Sequence, residues 1–130
     1  MICLATSAAS PVLAARDLPE GTHVNAVGSF TPEMQEFEPA LLGRARVVVD
    51  QREAALAEAG EVIAAVRAGL IREGDLQELA YVVSGRTGGR ENERDITAFK
   101  SVGLAVQDLS AGAAALREAT ARHLGGVVPL

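Results

Sequence analysis

Two short turns in this chain hold the residue types that let backbone come close to a ligand. One is Thr6-Ser7-Ala8, after the apolar run at residues 2–5. The other is Gly28-Ser29-Phe30, at the end of the stretch His23-Val24-Asn25-Ala26-Val27-Gly28. In open α/β sheets, ligands lie outside the carboxyl ends of the strands, and small residues there keep side chains out of the way. Asp50 follows a third apolar run and stands in a comparable place. With Glu53 three residues on, however, it fits a helix capping box, which assigns it a structural task. By residue type alone, the two small turns read equally well as a ligand-facing edge or as ordinary connections.

Other chemistries find less support. His23 and His123 are far apart in sequence, and no H-x-x-x-H, C-x-x-C or acidic cluster joins them, so no metal site is expected. Cys3 is the single cysteine; it sits in a run predicted to be a buried strand, where a thiol is inert. No serine occupies a G-x-S-x-G elbow. The glycine-rich stretch Gly85-Arg86-Thr87-Gly88-Gly89-Arg90 leads into Glu91-Asn92-Glu93-Arg94. Its acids would repel phosphate, so it reads as a flexible connector rather than a phosphate cradle.

The elements that must position the two turns follow from periodicity. Residues 2–5, 24–27 and 46–49 predict strands, the last being the β-branched run Arg46-Val47-Val48-Val49, suited to a sheet buried on both faces. Thr31 as cap and Pro32 at the first position predict a helix carrying Met34, Phe37, Leu41 and Leu42 and ending near Gly43. Asp50 is expected to cap another helix, interrupted at Gly60 and continued by Ile63, Val66 and Leu70. Asp75 and Glu78 repeat the capping-box spacing, and residues 84–94 form a loop. Asp95 or Thr97 is then expected to open a long helix to about Leu124. Its apolar positions Phe99, Val102, Val106, Leu109, Ala113 and Leu116 recur at alternating steps of three and four, with Gly125-Gly126 as the stop. The fold class expected is α/β: about three parallel strands, then C-terminal helices ending in one long amphipathic helix.

A chain of 130 residues is long enough for one domain with a core. That core is thin, because 24 residues are alanine and only four are aromatic. The net charge is −5, and no basic block is present, so nucleic acid is not an expected partner. No run approaches the ~20 apolar residues of a membrane span. Met1 enters an apolar segment without the basic residues of a signal peptide. A cytoplasmic chain is the expectation.

These residues resemble the ornithine cyclodeaminase/mu-crystallin family. The likeness is carried by Ala5-Thr6-Ser7 with Pro11, by His23-Val24-Asn25-Ala26-Val27-Gly28-Ser29-Phe30-Thr31-Pro32 with Glu36, by Arg46-Val47-Val48-Val49-Asp50 with Glu53-Ala54-Ala55, and by Phe99-Lys100-Ser101-Val102-Gly103-Leu104-Ala105 with Asp108. The resemblance implies a Rossmann domain binding NAD or NADP, followed by helices that return to a dimerising substrate domain. It implies a small amino or imino acid as substrate and a homo-oligomer as the assembly. Thr6, Ser7, Asn25, Ala26, Val27 and Gly28 are the implied cofactor contacts, and Ser101 approaches the nicotinamide end. Cyclodeaminases and alanine dehydrogenases of this family place a catalytic aspartate where this chain has Phe30. Met34 stands where the cyclodeaminases have a cofactor-contacting lysine. The form G-S-F-T-P-E-M looks more like the branch reducing cyclic imines or ketimines, such as Δ1-pyrroline-2-carboxylate.

The resemblance further implies that this chain matches only the later part of the family pattern. Residues 1–75 would be a partial NAD(P)-binding region beginning in the fourth Rossmann strand, and residues 76–130 a helical region returning to a substrate domain. The family's glycine-rich phosphate loop and its substrate-binding lysine and arginine lie upstream, so no catalytic residue is assigned within the chain and tight dinucleotide binding by it alone is not expected. An unpaired edge strand and an exposed apolar face are expected instead. The alternative is a non-catalytic module that assembles through that edge and the helix at 99–124.

Overall fold

In the computed structural model, which describes residues 1–126 and 128, five strands form one sheet. They are β1 (Ile2–Leu4), β2 (His23–Ala26), β3 (Ala45–Val49), β4 (Gln77–Glu78) and β5 (Ile96–Lys100). Every pairing is parallel, in the order β1-β2-β5-β3-β4. The helices are α1 (Arg52–Glu58), α2 (Gly60–Arg67), α3 (Leu79–Val83) and α4 (Ala105–Ala121). The expectation of a parallel α/β sheet followed by a C-terminal helix holds, with five strands rather than about three.

Register sorts the side chains onto two faces, because alternate residues of a strand point to opposite sides. Val24, Ala26, Ala98, Val47 and Val49 share one face, where Phe37, Leu41, Leu42, Ala55, Val62 and Ala65 close over them. Full burial of Phe37 or a leucine here contributes roughly 1.5–3 kcal/mol each. Cys3, His23, Asn25, Val48 and Phe99 share the other face. Among the described residues only α3 and the loop after it cover part of that side, leaving a groove of about 450 Å³ beside Val48, Phe99, Leu79 and Val82. Cys3 is exposed rather than buried, because β1 is an edge strand and, among the described residues, no element covers its open-face side chain.

Three local expectations are corrected. Residues 31–38 are not a helix. Their backbone bonds outward to the β1–β2 connection: Val12 N to Glu36 O (2.9 Å), Glu38 N to Leu13 O (3.0 Å) and Gln35 N to Ala8 O (3.2 Å). Helical geometry would forfeit those bonds, and regular structure resumes only in the 3₁₀ turn Pro39–Arg44. Asp50 does not cap α1; Gln51 is the N-cap residue and makes no side-chain cap bond. Asp75 likewise bonds back to Arg72 at the end of the 3₁₀ turn Glu73–Asp75, before β4.

The largest correction concerns 76–130, expected to be a helical region broken only by the loop at 84–94. This segment supplies β4 and β5, and β5 lies between β2 and β3 in the middle of the sheet. Ile96, Thr97, Ala98 and Lys100 are buried there. Phe99 and Val102 continue the three-and-four spacing of the later helix only by coincidence. Gly103, with φ of +89°, turns the chain out of the strand before α4 begins. The end of the expected region, residues 127, 129 and 130, lies outside the described residues. Among the described residues no helix is long and apolar enough to cross a membrane.

Candidate functional site

The carboxyl ends of β1, β2, β5 and β3 meet at one edge of the sheet, and three buried carboxylates tie them together. Glu36, fully buried, binds two turns at once. Its Oε1 accepts from Thr6 N (2.7 Å) and Thr6 Oγ1 (3.0 Å), and its Oε2 from Gly28 N (2.7 Å) and Ser29 N (3.1 Å). Burial alone would push its pKa up. The bonds donated by Thr6, Gly28 and Ser29 outweigh burial and hold it below its ordinary value. Gly28 is required at this junction, because a Cβ there would run into the backbone N and O of Thr6 and into Glu36 Oε1.

Beneath the second turn lies a buried network of Lys100, Ser29 and Glu61, all three without exposed surface. Lys100 Nζ donates to Ser29 O (2.6 Å) and Ser29 Oγ (2.8 Å). The Ser29 hydroxyl in turn donates to the Glu61 carboxylate (2.8 and 2.9 Å), and Lys100 and Glu61 stand 3.8 Å apart. Burial pushes the Lys100 pKa down, while the charges of Glu61, Glu36 and Asp50 act to raise it. Glu61 sits in the first turn of α2, where the helix dipole favours its charge. That helix start abuts residues 32–34 so closely that only Gly60 fits: a Cβ would strike the carbonyl oxygens of Pro32 and Met34.

Asp50 organises the turn after β5. Its Oδ2 accepts from Ser101 Oγ (2.8 Å), Val102 N (3.0 Å) and Gly103 N (3.0 Å), and its Oδ1 from Gln51 N (2.9 Å). The capping task expected of Asp50 is thus replaced by a link between the ends of β3 and β5.

The candidate residues fall into two groups. Thr6, Ser7, Val27, Gly28 and Ser101 lie at the carboxyl edge, with Ser7 and Val27 exposed and Ser101 buried against Asp50. Asn25 and Ala26 lie within β2. Ala26 faces the core with no exposed surface, and its carbonyl accepts from Ser101 N (3.1 Å). Asn25 faces the open groove, where its Oδ1 meets His23 Nε2 (3.1 Å) while His23 Nδ1 meets Thr97 Oγ1 (2.7 Å). Sequence reasoning gave no part to Glu61 or Lys100. A lysine inside the apolar run of β5 and a glutamate after a helix-breaking glycine were the available signals, but only tertiary contact pairs them.

The amides of Thr6, Gly28 and Ser29 are spent on Glu36. Phe30, 58% exposed beside them, cannot act as acid or base. No group of three or more potential metal ligands occurs among the described residues.

An all-parallel sheet with small-residue turns at its carboxyl edge is the architecture of ligand-binding α/β domains. The chain belongs to the ornithine cyclodeaminase/mu-crystallin family, whose model matches residues 1–122. It is 42% identical over 127 residues to the Δ1-pyrroline-2-carboxylate reductase of Bacillus cereus, spanning 96% of this chain and 39% of that protein. It is 36% identical over 124 residues to the alanine dehydrogenase of Archaeoglobus fulgidus, spanning 95% of this chain and 38% of that one. Among solved structures, the Thermococcus litoralis Δ1-pyrroline-2-carboxylate reductase in complex with NADH and L-proline superposes with a TM-score of 0.88 at 39% identity, over 98% of this chain and 40% of its own. The iminosuccinate reductase of Paracoccus denitrificans in complex with NAD+ gives 0.86 at 34% identity, over 99% and 40%. The chain thus spans about two-fifths of the length of the relatives it matches.

Proposed function

We propose that this chain supplies the cofactor-facing strand edge of an NAD- or NADP-dependent reductase of a cyclic imino acid, of the Δ1-pyrroline-2-carboxylate type. The observation that carries the reading is the convergence of Thr6, Gly28 and Ser101 through Glu36 and Asp50, in a chain 42% identical to such a reductase. The nicotinamide supplies hydride transfer when bound. The chain's own part is positional. Amides already bonded to Glu36 are not free to grip phosphate, and buried carboxylates disfavour a polyanion. The edge therefore suits the nicotinamide–ribose end, which carries no negative charge, flanked by Ser7, Val27 and Ser101, with Phe30 offering an apolar wall where a cyclodeaminase or alanine dehydrogenase would need an acid. In this reading the NAD(P)-binding unit extends past residue 75 to take in β5. α4 carries the chain on towards a substrate domain of a homo-oligomer, in a cytoplasmic setting, and acid–base groups come from outside this chain.

The test is an NMR titration of the 15N-labelled chain with NADH and NADPH. Shifts are expected at Thr6, Ser7, Val27, Gly28 and Ser101 with weak, roughly millimolar affinity, about −4 kcal/mol. ADP-ribose, which lacks the nicotinamide, should leave these amides in place, and the chain alone should not turn over Δ1-pyrroline-2-carboxylate. Millimolar NADH that moves none of these amides overturns the reading.

A further inference from the structure

The closed face of β2, β5 and β3 is apolar at every inward position except one. Lys100 pairs in register with Ala26 and Val49, and its side chain is buried with theirs. A methionine or leucine there would need no desolvated charge, and apolar replacement of a buried ion pair is commonly neutral or stabilising. Stability alone therefore leaves the Lys100–Glu61 pair without a reason. What the pair holds is a peptide at the sheet edge. Lys100 Nζ donates to Ser29 O (2.6 Å), and the Ser29 hydroxyl, set between Lys100 and Glu61, ties the same residue to the start of α2. That carbonyl belongs to the peptide leading into Phe30. Among the described residues the N–H and carbonyl of Phe30 make no hydrogen bond, and its side chain is exposed, so neither backbone pairing nor packing fixes it. Two residues further on, α2 meets the chain again, where Gly60 stands against the carbonyl oxygens of Pro32 and Met34. Phe30 and Thr31 thus bridge two points that one helix start holds.

We propose that Lys100 and Glu61 are positioning residues for Phe30, clamping the Ser29–Phe30 peptide from beneath the edge. Glu36 holds the N–H groups of Gly28 and Ser29, and Lys100 holds the carbonyl that follows them. An ammonium donor makes that bond stronger than a neutral one would. Glu61 supplies the counter-charge that opposes desolvation of the lysine. This role rests on the proposed reading of the edge, in which Phe30 is the apolar wall beside the nicotinamide. A ring held in place beforehand does not have to be ordered when the ligand arrives.

The test compares the parent chain with two variants by 15N relaxation, first without cofactor. Lys100→Met with Glu61→Leu and Ser29→Ala makes the network apolar and releases the carbonyl of residue 29. Ser29→Ala alone removes the hydroxyl and leaves that carbonyl on Lys100. The Phe30 amide should be rigid in the parent and in Ser29→Ala, with an order parameter of about 0.85, and should fall below about 0.6 in the apolar form, which circular dichroism shows to be folded. NADH should then bind the apolar form about fivefold more weakly, the cost of ordering one side chain. A Phe30 amide equally rigid in all three chains overturns the inference. So does one loosened as much by Ser29→Ala, since the network would then be merely structural, and so does unchanged NADH affinity once Phe30 is free. If the apolar form fails to fold, Lys100→Met with Glu61→Gln is read in the same way; failure of both overturns the inference, because the pair would then serve folding itself. If NADH moves no amide of the parent while Phe30 follows the expected pattern, the proposed reaction fails and the clamp on Phe30 stands.

Discussion

Glu36→Gln separates the two turns that one carboxylate now holds together. The glutamine amide keeps one oxygen and puts an NH2 where the other stood. Facing Gly28 and Ser29, that NH2 would meet two N–H donors and no acceptor. Facing Thr6, it can donate to Oγ1 and strand only the Thr6 amide. The second orientation is therefore expected, with the turn after β1 released and the turn after β2 retained. Leaving one amide without a partner costs about 1–3 kcal/mol, and exchanging a charged acceptor for a neutral one weakens the remaining bonds by about 1 kcal/mol more. Urea unfolding followed by circular dichroism should read a loss of about 2–4 kcal/mol. In NMR spectra the Thr6 amide should move upfield while Gly28 stays nearly in place. The same group makes stability pH-dependent. Its folded-state pKa lies below the ordinary 4.5, so its contribution is complete above about pH 4.5 and is lost as pH falls from there through the lowered folded value. The glutamine variant should lack that part of the acid limb. A variant within 0.5 kcal/mol of the parent, with the Thr6 amide unmoved, would refute the two-turn role of Glu36.

Four further perturbations follow from the same contacts. Gly28→Ala drives a Cβ into Thr6 and Glu36, and thermal unfolding should show a loss of about 3 kcal/mol or more. Lys100→Met leaves Glu61 buried without its cation and should cost about 3–5 kcal/mol. Lys100→Met with Glu61→Gln should recover part of that, and strictly additive losses in urea titrations would contradict the pairing. Asp50→Asn should loosen residues 101–103, with hydrogen exchange at Val102 and Gly103 accelerated at least tenfold and a stability loss of about 2 kcal/mol. Leu116→Glu, on a helix with no buried residue and at a position 70% exposed, should change the stability of the isolated chain by less than about 0.5 kcal/mol. A larger loss would show that α4 packs onto the sheet.

How much of this molecule was legible depended on whether a signal was local. The β-branched run before Asp50 and the apolar run before Gly28 announced strands because short runs of such residues fit a pleated, half-buried surface. The turns after them were recognisable as a candidate edge because small residues followed a strand. Asp50 misled, since an acid three residues before a glutamate satisfies capping geometry wherever it occurs. In the fold its lone pairs are claimed by Ser101, Val102 and Gly103, from the turn after β5, 51 to 53 residues on. Residues 31–38 misled in the same way: a good helix start lost to backbone bonds with residues 8–13.

By itself, then, the sequence determined the class of fold, the family and the two small-residue turns, because periodicity and short motifs are written between near neighbours. Tertiary structure alone decided that β5 occupies the centre of the sheet, that Glu36 joins two turns 22 residues apart, and that Lys100 and Glu61 meet beneath Ser29. The physical reason is desolvation. Inside the sheet edge a charge or an amide has no water to turn to, so each must find a protein partner, and in a parallel sheet that partner comes from another crossover rather than from the next residue.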